Sequence, residues 1–199
     1  METKIIPITH IISNNTIRPL SIFEIVPDPI FPYQTVQIGN QIWMAENLHE
    51  DDGGEGITKV DSVISNGYEL GPQTYYTYDA AVRVANTVDG WHLPSRDEWN
   101  TLITLMNSNS TDVKSTYGWN NDGNGTNLTG LNILPVGRIN YYSTTVSNIG
   151  GEANIWSSTN ISDTNAYATF VYNNTTSWND NLTSRNKQYK NSVRLIKDT

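Results

Sequence analysis

Three groups of side chains in this chain could do chemistry, and each also has a plainer reading. Arg96, Asp97 and Glu98 stand together, two carboxylates beside a cation, as general acid–base work would require. They also follow Ser95, and Ser95 with Glu98 makes a capping box, so the same charges suit the start of a helix. Asp51, Asp52 and Glu55 lie among Gly53, Gly54 and Gly56, offering oxygen ligands on a turning backbone. Their spacing misses the EF-hand pattern, so a solvated loop is expected. His10, His49 and His92 are scattered, and the chain has no cysteine. That removes disulfides, thiolate zinc sites and cysteine nucleophiles. The expectation is a protein that is not an enzyme, with no cofactor and no metal.

A fourth group suits recognition. Between Asn160 and Asn191 the asparagines Asn160, Asn165, Asn173, Asn179 and Asn186 alternate with Tyr167, Tyr172, Trp178 and Tyr189, with Asp180 among them. Aromatic rings supply contact area at low entropic cost, and short amides adapt their hydrogen bonds, as in antibody-like paratopes. These ten residues are the candidate ligand-binding set, expected on exposed polar loops. The plainer reading is an Asn-rich loop region like the one around Asn121.

Two helices and several hairpins must hold such a surface. Thr35–Ile38 and Gln41–Met44 flank Gly39-Asn40, a two-residue hairpin signal that sets Val36 opposite Trp43. Tyr78, Ala81, Val82 and Ala85 recur at helical spacing, as do Trp99, Leu102, Ile103 and Met106 after the capping box. Both stripes read as core faces. Leu131–Leu134 and Ser192–Lys197 read as strands, and 51–56 as a loop. Residues 1–33 carry five of the eight prolines among branched apolar residues, which predicts an extended arm with little helix. Such an arm packs on its own module or docks into a larger assembly. The globular module takes residues 34–199.

Composition narrows the partners. A formal net charge of −8 leaves no basic patch for nucleic acid. No apolar run approaches the roughly 20 residues of a membrane span, so no membrane insertion is expected. Met1–Ile5 lacks the basic start and apolar core of a signal peptide.

Five segments in order carry a resemblance. They are Val36–Leu48, Tyr75–Ala81, Gly90-Trp91-His92-Leu93-Pro94-Ser95-Arg96-Asp97-Glu98-Trp99, Trp156-Ser157-Ser158-Thr159 and Ser192–Asp198. Together they resemble the Fibrobacter succinogenes major paralogous domain, a bacterial and phage family with a C-type-lectin-like fold. The resemblance implies an α+β module of two helices on small twisted antiparallel sheets, with its termini paired as neighbouring strands. It also implies a surface-displayed binding module whose C-terminal stretch is, in some members, mutated at adenines by a diversity-generating retroelement. That process enriches Asn, Tyr, Ser, Thr and Asp, the composition of 160–191. Trp178-Asn179-Asp180 is similar to the triplet through which animal C-type lectins hold calcium, but the companion Glu-Pro-Asn is absent. The Leu93–Trp99 run is also similar to formylglycine-generating enzymes and iron-dependent sulfoxide synthases, whose cysteines or histidine triad this chain lacks.

The functional expectation is therefore a phage virion component, a fibre or decoration protein. Its lectin-like surface would meet a host glycan or protein, and residues 1–33 would join other virion subunits in an oligomer or assembly. The alternatives are a bacterial surface or pilus-associated adhesin and a purely structural virion protein.

Overall fold

The computed structural model describes residues 12–13, 16–17, 32–178 and 182–198. The expected arm over 1–33 lies almost wholly outside them. Within it, β1 (Ile12–Ser13) and β2 (Thr16–Ile17) pair antiparallel. The module proper runs through β3 (Thr35–Ile38), β4 (Gln41–Met44), β5 (Ile57–Val60), β6 (Ile64–Ser65), β7 (Tyr68–Glu69) and β8 (Gln73–Tyr76). Helix α1 (Tyr78–Ala85), β9 (Trp91–His92) and α2 (Arg96–Leu105) follow. Then come β10 (Arg138–Ile139), β11 (Val146–Ser147), β12 (Glu152–Asn160), β13 (Asn165–Tyr172), β14 (Leu182–Asn186) and β15 (Ile196–Lys197). The architecture is mixed α+β and mostly strand.

The first hairpin forms in the expected register, Val36 opposite Trp43. Gly39 takes φ +61° at the first position of its turn, and a Cβ there would come within 2.8 Å of Leu105 Cδ1. The positive φ favours glycine, and the exposed Leu105 side chain would have to shift to admit a Cβ. The chain then ends on this hairpin: β15 lies between β4 and β9, with Ile196 opposite both Trp43 and His92. The last strand thus neighbours the second strand of the first hairpin.

Two expected strands are corrected. Over Leu131–Leu134 only a single bridge forms, Ile133 to Lys114, because Asn132 at φ +53° turns the backbone out of the extended region. Over Ser192–Lys197 only Ile196–Lys197 is regular; upstream, Ser192 makes a parallel bridge to Ile155 and Arg194 turns inward.

Both helices start where the sequence says. Thr77 caps α1 by accepting from Ala80 N–H, and Ser95 caps α2 with Glu98 completing the reciprocal box. Trp99, Leu102 and Ile103 of α2 are buried, with Met106 partly so. On α1, Tyr78, Ala81 and Ala85 are buried together with Ala80 and Val84, while Val82 is half-buried. The small residues let this helix lie close on β8 and β12.

The sheet β12-β13-β14 divides the interior. Odd positions of β13, Tyr167 and Val171, face a cluster built on Trp43, Trp99, Trp119 and Trp178. Even positions, Ala166, Ala168, Phe170 and Tyr172, face a second cluster built on α1 and Trp156. Three tryptophans chain through the first cluster, with ring centroids 4.7 Å apart for Trp43–Trp99 and 6.4 Å for Trp99–Trp178. In the second, Trp156 donates its indole N–H to the Tyr76 carbonyl at 2.7 Å. The Trp156 indole is thus anchored where its apolar body packs, whereas the indole N–H groups of Trp43 and Trp99 are buried without a hydrogen-bond partner.

Candidate binding surface

Within the stretch expected as loops, 160–191, Asn165–Tyr172 and Leu182–Asn186 form paired strands. The hidden alternation of the first is Ala166, Ala168 and Phe170 inward against Asn165, Tyr167 and Thr169 on the other face, a period of two that the asparagines mask. The registers then decide which candidate residues meet. Asn165 lies opposite Asn186 and Tyr167 opposite Ser184, so these four share one face at the open end of β13–β14. The Asn165 amide donates to Ser184 Oγ at 2.8 Å. The Arg96 guanidinium sits 4.6 Å from the centre of the Tyr167 ring, bringing the helix start of α2 onto the same surface. Asn160 stands beside it, exposed at the end of β12, across a register shift that ends the regular ladder. Residues 160–164, which join β12 to β13, are all exposed and complete a projecting edge.

The other candidates fall elsewhere. Tyr172 and Asn173 lie at the far end of β13, roughly 20 Å from Asn165 at the rise of an extended strand. The Tyr172 ring stacks on Phe170 at 6.1 Å, and the Asn173 amide donates to the Asn120 carbonyl. Trp178 is corrected outright: it is 0 % exposed, and its indole donates to Thr169 Oγ1 at 3.0 Å. It closes the lower part of the sheet face instead of meeting a ligand, because a large ring gains more by filling the cluster than by standing in water. Asn179 and Asp180 lie outside the described residues. Tyr189 belongs to a separate groove, beside Arg138 and Arg185.

The ionisable groups have structural employment. Asp52 receives Arg83 through Nε at 2.6 Å and Nη2 at 3.1 Å. Those bonds hold its carboxyl well down, at about 2. Asp51 pairs with Lys59 and accepts from Gly53 N–H. The acidic loop is therefore tied to α1 and β5. His92 is half-buried, its Nε2 2.8 Å from Glu98 and its Nδ1 2.6 Å from Asp198. Burial pulls its pKa down, but the two carboxylates outweigh this and raise it. The imidazole thus pins the capping box of α2 to the end of β15. Among the described residues no cluster of three metal-ligating side chains occurs, and no helix is long and apolar enough to cross a membrane.

The model of the Fibrobacter succinogenes major domain matches residues 36–197, from β3 through β15. The chain belongs to this family. No curated protein and no solved structure matches it. The residues before Val36 lie outside the match.

Within this major domain the sequence reading missed two features. One is Arg194, 0 % exposed in the interior. It donates to Asn47 Oδ1 at 3.0 Å, the Asn132 carbonyl at 2.9 Å, the Met44 carbonyl at 3.3 Å and the Leu131 carbonyl. One planar fork thereby joins the first hairpin, the 131–132 turn and the C-terminal segment. Its signal is a lone arginine inside an apolar run, Val193-Arg194-Leu195-Ile196. The other is the groove beside Tyr189, whose signal is the adjacent pair Tyr141-Tyr142.

Proposed function

We propose that this major-domain protein is a non-catalytic recognition and display protein with a C-type-lectin-like fold, carried on a phage particle. The edge formed by Asn160, Asn165, Tyr167 and Asn186 is its contact surface for a host glycan or protein. One observation carries this reading: Asn165, Tyr167, Ser184 and Asn186 share one sheet face at the strand ends, beside the exposed residues 160–164, with Arg96 over the half-buried Tyr167 ring. A rigid base reduces the ordering cost of binding, and the exposed positions 160–164 and 184 can vary without touching the core. The arm over 1–33 would anchor the protein to other virion subunits.

The test is genetic. If a near-repeat of the gene lies close by, its mismatches should be confined to adenines and should fall on outward codons such as 160, 165, 167, 184 and 186. They should spare 166, 168, 170 and 178, whose side chains are buried. Mismatches spread over the buried codons would sink the proposal. Capsid and tail genes nearby support the virion; outer-membrane assembly genes would favour a bacterial adhesin.

A further inference from the structure

A second surface lies away from the strand edge. Ile139 and Lys190 exchange both backbone hydrogen bonds, at 2.9 and 3.0 Å, and this bridge sets Tyr189 beside the chain that leaves β10. Between them opens a groove of about 480 Å³, lined by Arg138, Asn140, Tyr141, Tyr142, Ser143 and Tyr189. That size is within the roughly 300–1,000 Å³ of small-molecule sites. Tyr142 is 91 % exposed and Tyr141 43 %, and their ring centroids are only 4.0 Å apart. The two rings lie against each other at an interplanar angle of 38° and form one aromatic platform. A nearly bare aromatic ring on a turn gains nothing from the fold's own packing.

The polar groups beside the platform are fixed before any ligand arrives. Asn140 accepts from Arg138 Nε at 3.1 Å and donates to Ser147 Oγ at 3.1 Å. That leaves one amide N–H and one lone pair to offer outward. Ser143 Oγ is held by Thr145 N–H at 3.0 Å. Arg138 is paired with Glu152, so its charge is compensated where it lines the groove.

We propose that this groove binds a single uncharged pyranose residue of a glycan. A pyranose presents axial C–H bonds on one face and hydroxyls around its rim. The C–H face suits the electron-rich face of the tyrosine platform, and the rim suits the amide and hydroxyl of Asn140 and Ser143. The guanidinium that lines the groove is compensated by Glu152, and Arg185 is set against the rings of Phe170 and Tyr189, so a neutral ligand is favoured. A flat protein partner would bury far more than this short groove offers. The inference rests on the recognition role proposed above and assigns its sugar contact to a different surface.

The test uses the full chain labelled with ¹⁵N and titrated with methyl glycosides of glucose, galactose, mannose and N-acetylglucosamine, with methyl glucuronide as an anionic arm. At least one neutral glycoside should shift the amides of 140–143 and 189. Tyr142→Ala should weaken it about ten-fold. Because that ring is almost wholly exposed, the urea midpoint of the variant should match the wild type. An Asn165→Ala/Tyr167→Ala variant, which alters the strand edge, separates the two surfaces: shifts of 140–143 and 189 should persist in it, whatever contact the edge itself loses. Shifts centred on the strand edge, lost in that double variant and kept in Tyr142→Ala, overturn the groove while leaving the recognition role standing. Binding of the glucuronide alone overturns the uncharged sugar. No glycoside shift at all also overturns the groove; binding of the chain to host cells would then show whether the recognition role fails with it.

Discussion

Replacing Arg194 with methionine probes how the interior is held. Methionine roughly fills the space but leaves Asn47 Oδ1 and the carbonyls of Asn132, Met44 and Leu131 without this donor. An orphaned buried acceptor costs about 1–3 kcal/mol, so four together set an upper range of about 4–12 kcal/mol. The substitution also relieves the desolvation of the guanidinium. That penalty is visible in the arginine's pKa, which burial pulls down to about 9 against the opposing charge of Glu46. Desolvating one ion costs several kcal/mol, which offsets much of the loss. Taking about 8 kcal/mol for the four acceptors and about 3–5 for the relieved desolvation, a net destabilisation of about 3–5 kcal/mol remains. With a urea slope of about 2 kcal/mol/M the unfolding midpoint falls by about 2 M. Arg194→Lys keeps the charge but replaces the planar fork with a point donor, which cannot span Asn47 and Asn132 together. It should recover little of the loss. A methionine variant within about 0.3 M of the wild-type midpoint, roughly 0.6 kcal/mol at that slope, would refute the reasoning. The hydrogen bonds would then do no more than cancel the burial of the charge.

Three further substitutions follow from the contacts of His92, Trp178 and Asn165. The His92 pKa is raised, since Glu98 and Asp198 outweigh the opposing desolvation, so the clamp contributes fully below the unfolded imidazole value of about 6.5. It is lost as pH rises through the folded value. Thermal stability should therefore drop by less than about 1 kcal/mol as pH climbs from about 6.5, given the exposure of the pair. His92→Gln should abolish that slope; a wild-type profile that is flat or rises speaks against the clamp. Trp178→Ala should cost about 3–5 kcal/mol in urea unfolding, because it hollows the Trp43–Trp99 cluster. Asn165→Ala should cost within about 0.5 kcal/mol. Equal, small effects at both would mean that Trp178 does not fill the core.

What could be read in the sequence was local. The Gly39-Asn40 turn, the Ser95–Glu98 box and the two helical stripes are decided by neighbours within about five positions, and the structure has all of them. The register of the last strand, the inward turn of Arg194 and the burial of Trp178 depend on partners far away in the chain. Asn47 lies 147 residues from Arg194. In 160–191 the asparagines suggested loops because Asn is the commoner turn residue, whereas the alanines and Phe170 decided the matter through pairing with β12.

The same distinction separates the two surfaces. Asn165 and Tyr167 were candidates by composition, and pairing brought them together with Asn186. Tyr172 and Asn173 had the same composition, yet the strand carries them away. For the groove, composition pointed only to Tyr189, because Arg138 to Ser143 lie outside the Asn-rich stretch. The Ile139–Lys190 bridge alone makes them neighbours. A chain whose recognition surface were set by composition would have one face within 160–191. The proposed groove would be a second, assembled by a pairing between β10 and the segment before β15, and Tyr142→Ala against Asn165→Ala/Tyr167→Ala measures whether either surface holds sugar.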